Sequence, residues 1–224
     1  MIATADLRLV RLLQLASPAL PVGAYSYSQG LESAIEARVV QDAGSAADWI
    51  GDVLDHSLAR MEAPVLLRLI AAWRAGEPDT VAHWNRLLLA SRETAELRAE
   101  TVQMGYSLAR LLTELGQGLG LERVEEISFP AVFAFAVARW DIEPRPALTA
   151  YLWAWLENQV MAALKAVPLG QTDGQRILMS LGERLADVAD RAAVLADDEL
   201  GSFTPKFAIL SSRHETQYSR LFRS

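Results

Sequence analysis

The run Pro130–Ala138, PAVFAFAVA, is the longest uninterrupted apolar stretch in the chain. It is far short of the roughly 20 residues a membrane-spanning helix needs. Ser128 and Pro130 stand where helices begin and Trp140 where this one should end. A helix apolar on every side cannot face water and belongs at the centre of a bundle. The remaining chain must therefore supply helices to cover it. No sustained period-two alternation, Asn-Gly hairpin signal or internal repeat competes with that reading. The expectation is an all-α fold: a single compact domain of about eight to ten helices around a central apolar one.

Leu9, Leu12, Leu13 and Leu15 define a first helix before Pro18. A second is expected from about Ser26 to Val39, and a third, capped near Ser45–Asp48, through Trp49, Leu54 and Met61. Pro64 falls inside this third pattern and must kink or restart it, because proline donates no hydrogen bond. Pro78 opens the segment Val81–Ala90. Further helices are expected over Ser91–Leu115, stopped by the Gly116–Gly120 cluster, over Leu148–Val167, stopped by Pro168, and from Thr172 or Asp173 to about Leu195.

With 224 residues and 51% hydrophobic content the chain can bury a sizeable core. Its 21 basic and 28 acidic residues give a net charge of −7, which argues against nucleic-acid binding. The absence of cysteine excludes disulfides and thiolate metal sites and fits a reducing compartment. Asp6, Arg8 and Arg11 interrupt the N-terminal apolar residues, so no signal peptide is read there. The chain is expected to be cytoplasmic, with no membrane or nucleic-acid partner.

Chemistry is sparse. His56, His83 and His214 are far apart in sequence and form no metal-ligand pair. No nucleophile elbow, HExxH helix or framed carboxylate pair is present. No catalytic residue, metal site or cofactor is therefore assigned. Three segments resist explanation as plain helical core. In Ser17–Glu32, SPALPVGAYSYSQGLE, prolines and Gly23 break a helix, and Ser26 and Gln29 have capping-box spacing. Gly30 would sit one turn inside the new helix, a cost accepted where backbones approach closely; on these residues alone the segment reads as a tight inter-helix connection. PLGQTDGQ, residues 168–175, has two glycines, but its lysine, Lys165, precedes them and follows a helix, so it is no phosphate-binding P-loop. It reads either as an inter-helix turn or as a polar recognition loop. Residues 204–224 carry a net +3 against −10 for the remainder, with Phe207, Leu210, His214, Tyr218, Leu221 and Phe222 at helical spacing. Such a basic amphipathic end, set off as its own unit from 1–203, suits either a docked terminal helix or a partner-binding arm, and its large apolar residues and arginines favour the arm.

SPALPVGAYSYSQGLE, SRETAELRAE at 91–100, KAVPLGQTDGQR at 165–176 and SRHETQYSRLFRS at 212–224, in this order, resemble the UreF-type urease accessory proteins. Lys206 and Phe207 depart from the more polar or acidic pattern expected before the last motif. The resemblance implies an all-helical, dimeric, non-catalytic chaperone for nickel insertion into urease. Such a protein bridges a UreD-type (UreH-type) partner and a nickel-carrying UreG-type GTPase, so that GTP hydrolysis is coupled to nickel delivery into apo-urease. It further implies three interaction sites. Pro18, Leu20, Pro21, Gly23, Tyr25, Ser28, Gly30 and Glu32 would shape a partner or dimer interface. Lys165, Gly170, Gln171, Thr172, Asp173, Gln175 and Arg176 would meet the GTPase. His214, Glu215, Tyr218, Arg220, Leu221, Phe222 and Arg223 would order against the UreD-type partner. An alternative is a direct GTPase activator that supplies an arginine such as Arg176 in trans.

Overall fold

The computed structural model describes residues 4–118 and 126–224; Gly120, in the glycine cluster expected to end a helix, lies outside them. Within the described residues the chain is helical throughout, with no strand. The helices are α1 (Thr4–Ala16), α2 (Leu31–Glu36), α3 (Ala43–Val53), α4 (Ala63–Ala75), α5 (Pro78–Ala90), α6 (Ala95–Glu114), α7 (Phe129–Arg139), α8 (Pro144–Ala166), α9 (Gln171–Gly182), α10 (Leu185–Val194) and α11 (Pro205–His214).

The apolar run is α7, and it lies at the centre as its composition requires. Ala131, Val132, Phe133, Ala134 and Val137 are fully buried, with α4 and α6 its main neighbours. Its entry is fixed by polar groups. Ser128 caps the helix through the Ala131 N–H, and the Asn85 amide bridges the Glu126 carbonyl and the Ser128 N–H at 2.7 and 2.9 Å. Gly105 lets α6 press against this entry: a Cβ there would collide with the Ile127 carbonyl oxygen. Phe133 meets the Tyr151 ring edge-on at 5.1 Å, tying α7 to α8.

Pro64 acts as its chemistry demands. Between α3 and α4 the chain forms a π-helix, Leu54–Glu62, in which the Ala63 N–H reaches back to the Leu58 carbonyl. Proline has no N–H to offer the Arg60 carbonyl. That oxygen instead accepts from the Gly201 N–H at 3.2 Å. The wider turn carries Glu62 inward, where it is only 7% exposed.

Several local expectations shift. The Ser26–Gln29 capping box does not form. Ser26 ends a short 3-10 turn, and α2 begins only at Leu31 with Gly30 as its N-cap at φ +76°. Gly30 therefore lies before the helix, not inside it; close approach is still its role, since a Cβ would stand 2.5 Å from Ser211 Oγ of α11. The third helix is capped by Asp42, with Ser45 as its reciprocal partner three residues on. The helix expected from Ser91 begins only at Ala95, capped by Thr94. The stretch expected as one helix to Leu195 breaks at Glu183–Arg184 into α9 and α10.

Phe133→Ala would remove a fully buried ring from this centre. Urea denaturation should register a loss of about 3–5 kcal/mol with an unchanged denaturant slope.

Candidate functional site

The opening segment and the C-terminal segment are one site. After α11 the chain runs back as an irregular strap, 215–224, across Ser28–Glu32 and the start of α6. Ser224 is its anchor. Its main-chain carboxyl oxygen accepts from the Ser28 and Gln29 N–H groups at 2.8 and 3.1 Å and from the Ser28 hydroxyl at 2.6 Å. The Arg223 N–H donates to the Ser26 carbonyl at 2.8 Å. Glu32, buried, holds the middle: its carboxylate accepts from the Leu221 and Phe222 N–H groups at 2.7 and 3.0 Å. Hydrogen bonds from N–H to carboxylate are the stronger kind, and here they satisfy strap amides that no secondary structure pairs.

His214, fully buried at the end of α11, lies between two acids. Its Nε2 stands 3.2 Å from Glu32 and its Nδ1 2.7 Å from Glu96. Both contacts are hydrogen bonds only when both ring nitrogens carry hydrogen. Arg220 donates to Glu96 at 2.6 Å, while the Glu215 carboxylate accepts from the Ala95 and Glu96 N–H groups at the start of α6. An acid at a helix N-terminus is favoured by the helix dipole. The basic segment thus docks on acids of its own chain.

Beneath the strap lies a buried polar cluster. Glu100 accepts from the Ser224 hydroxyl at 2.7 Å and the Gln29 amide at 2.6 Å. Gln29, with a left-handed φ of 52°, also accepts from Trp155 Nε1 at 2.7 Å. Glu62, brought in by the π-helix, accepts from Tyr151 and Arg92. Burial pushes the Glu100 carboxyl up to about 7. Burial and the neighbouring Glu62 carboxylate likewise raise the Tyr151 phenol. Glu62, Arg92, Glu100, Tyr151 and Gln29 line a cavity of about 190 Å³ together with Leu15, Val22, Met104 and Phe129. Among the described residues no group of three or more His, Asp and Glu side chains is arranged to hold a metal.

The structure separates the sequence-derived residues by role. Ser28, Gly30, Glu32, His214 and Phe222 are buried in the joint, and Glu215 and Arg220 brace it. Pro18, Pro21 and Tyr25 are exposed, Leu20 is half-buried and Gly23 turns the chain at φ +80°. Tyr218, Leu221 and Arg223 face outward, although Tyr218 shares the helical spacing of the buried positions, because the helix ends at His214. Phe207 is buried against the Trp49 ring, at 6.3 Å between centroids.

Lys165, expected with the 168–176 segment, places its ammonium over the rings of Phe222 and Tyr25 at 5.7 and 5.9 Å and so joins the strap site. The polar loop is shorter than expected: Gln171 already begins α9, because Asp173 accepts from the Gly170 N–H and closes the first turn. Gln171, Thr172, Gln175 and Arg176 are exposed there, and Gly174 packs against Leu164. Sequence reasoning misses the site roles of Gln29, Glu62, Arg92, Glu96, Glu100, Trp155 and Ser224. The spacing of Glu96 and Glu100, four apart on one face of α6, is the signal that points to two of them.

The UreF family model matches residues 40–182. The chain belongs to the UreF family. It is 58% identical over 225 residues to the urease accessory protein UreF of Azoarcus sp. (strain BH72), covering 97% of this chain and 96% of that protein. The proteins of the same name from Dechloromonas aromatica and Methylobacillus flagellatus are 55% and 52% identical, covering 97% and 96% of this chain and 98% and 97% of theirs. The family match ends short of both halves of the strap site, whereas these relatives align across nearly the whole chain. No helix among the described residues is long and apolar enough to cross a membrane.

Glu32→Ala removes the acceptor of two strap amides and one partner of His214. Limited trypsin digestion should then cut at Arg220 and Arg223 at least about tenfold faster than in the wild type, as expected when charge-assisted bonds worth more than about 1.5 kcal/mol are lost.

Proposed function

We propose that this chain is a non-catalytic adaptor in urease maturation. It bridges a UreD-type protein and a nickel-carrying UreG-type GTPase in the cytoplasm, so that GTP hydrolysis serves nickel delivery into apo-urease. Family membership supports the setting, and one structural observation carries the assignment of surfaces. The docked strap turns its anchoring groups inward and leaves Tyr218, Leu221 and Tyr25 at 105%, 71% and 67% exposure. Large apolar and aromatic side chains beside arginines make interface anchors, and here they stand on backbone already held in place. Residues 204–224, as a unit, take the UreD-type partner. The exposed first turns of α9, with Gln171, Thr172, Gln175 and Arg176, take the GTPase. In place of the opening segment, whose Ser28, Gly30 and Glu32 the strap occupies, we propose the groove between α1, α8 and α9 as the seat of a second copy of the chain, since Leu13, Trp153 and Met179 remain exposed there and the lining is mostly apolar.

The double variant Tyr218→Ala/Leu221→Ala changes only exposed side chains, so its circular dichroism and melting temperature should match the wild type. Its affinity for the UreD-type protein, read by co-elution in size exclusion with light scattering, should fall at least about tenfold. Undiminished co-elution would remove the tail assignment. Direct activation of the GTPase is the second reading, favoured by the exposed guanidinium of Arg176 on α9, oriented by Asp173 at 2.9 Å. In that case Arg176→Ala should abolish stimulation of single-turnover GTP hydrolysis, a loss of about 10³-fold or more for an arginine supplied in trans. Equal hydrolysis with either chain would exclude it.

A further inference from the structure

The strap covers two carboxylates in unequal company. Glu32 receives strap amides and His214. Glu100, 5% exposed, receives only neutral donors, the Ser224 hydroxyl and the Gln29 amide. The guanidinium beside it, Arg92, is committed to Glu62, which also holds the Tyr151 hydroxyl. Two carboxylates and one guanidinium therefore share a largely buried space, leaving one negative charge without a counter-ion. The other charged or titratable groups nearby point elsewhere. Arg223 on the strap lies beside Tyr27, the Ser224 main-chain carboxyl group is bound by Ser28 and the Gln29 N–H, Lys165 on α8 lies over Phe222 and Tyr25, and His214 and Arg220 face Glu32 and Glu96. The strap itself supplies the cover, with Ser224 3% exposed on top of Glu100.

We propose that residues 215–224 form a proton-linked clasp: the strap closes over Glu100 with uptake of a proton and loosens as that proton leaves. Burial, with Glu62 adding to it, carries Glu100 from its ordinary 4.5 up to about 7, against the opposing pull of Ser224, Gln29 and Arg92. With the strap open, water reaches the carboxyl and its ordinary acidity returns. Because the closed form has the higher value, it holds the extra proton between these limits. Closure is therefore fully favoured below about 4.5, weakens as pH rises through the window, and levels off above about 7. Near neutrality the clasp stands at the weak end of its range, where a modest competing interaction opens it. The inference rests on the strap's own geometry and holds whichever partner takes the tail.

Amide hydrogen exchange on the full-length chain tests it. Protection of the Leu221, Phe222 and Arg223 amides, taken relative to the intrinsic exchange rate at each pH, should fall at least about tenfold between pH 5 and pH 7, the limit for one proton being tenfold per pH unit. Glu100→Gln keeps the shape and removes the proton, so the fall should shrink to less than about threefold. Constant wild-type protection, or an equal fall in Glu100→Gln, overturns the clasp. Should Glu100→Gln fail to fold, carboxyl ¹³C titration of the wild-type chain and of Glu32→Ala reads the same coupling. The Glu100 midpoint should lie near 7 in the first, and proton affinity should be at least about tenfold weaker in the second. Equal midpoints overturn the proposal.

Discussion

The carboxylate of Glu32 is the interaction on which the arrangement of the two chain ends depends. It sits in the first turn of a short helix that could not stand alone, and it is nearly excluded from water. A carboxylate in that position is costly unless every lone pair finds a donor. Its donors come from the far end of the sequence: two strap amides and the ring of His214. The dependence is mutual, because those amides have no other partner. Without Glu32 the strap loses its middle attachment; without the strap, Glu32 is a buried charge that must find water.

A second constraint operates from below. Pro64 denies the Arg60 carbonyl its usual partner and widens the preceding turns into a π-helix. That widening turns Glu62 toward Arg92 and Tyr151 and creates the charged floor on which Glu100 rests. The polar cluster under the strap is thus a consequence of one proline in a helix far upstream of it.

The fold is legible because it rests on composition and period. A run such as PAVFAFAVA has one possible home, and leucine spacing with proline and glycine stops locates most of the helices. The urease-maturation family is legible in four motifs. What the motifs do not disclose is that two of them meet. SPALPVGAYSYSQGLE and SRHETQYSRLFRS look like separate surfaces, because pairing between residues 28 and 224 is set by tertiary packing and leaves no periodic trace. Gly30 gives a partial clue, since a glycine beside a helix start signals close approach, but the approaching residue, Ser211, is not visible from position 30. Tyr218 misleads for a related reason: helical spacing continues past His214 although the helix does not. Glu96 and Glu100 share a helical face, but spacing alone does not show what covers it; the docked strap buries Glu100 and half-covers Glu96.

The bond from Gly201 to Arg60 has a consequence for reach. Arg68 holds Asp197 and the Leu195 carbonyl, and Ser202 bonds to Glu93, so the connection from α10 into α11 is fastened along its length. With α11 packed on α2, a released strap is tethered at His214 and spans at most roughly 35 Å over its length. A tether of that reach keeps the strap at an effective concentration of about millimolar around its own groove. A protein that captures the released tail, rather than the surface of the docked strap, competes against this local excess, so its affinity for the intact chain is weaker than its affinity for the same sequence as a free peptide.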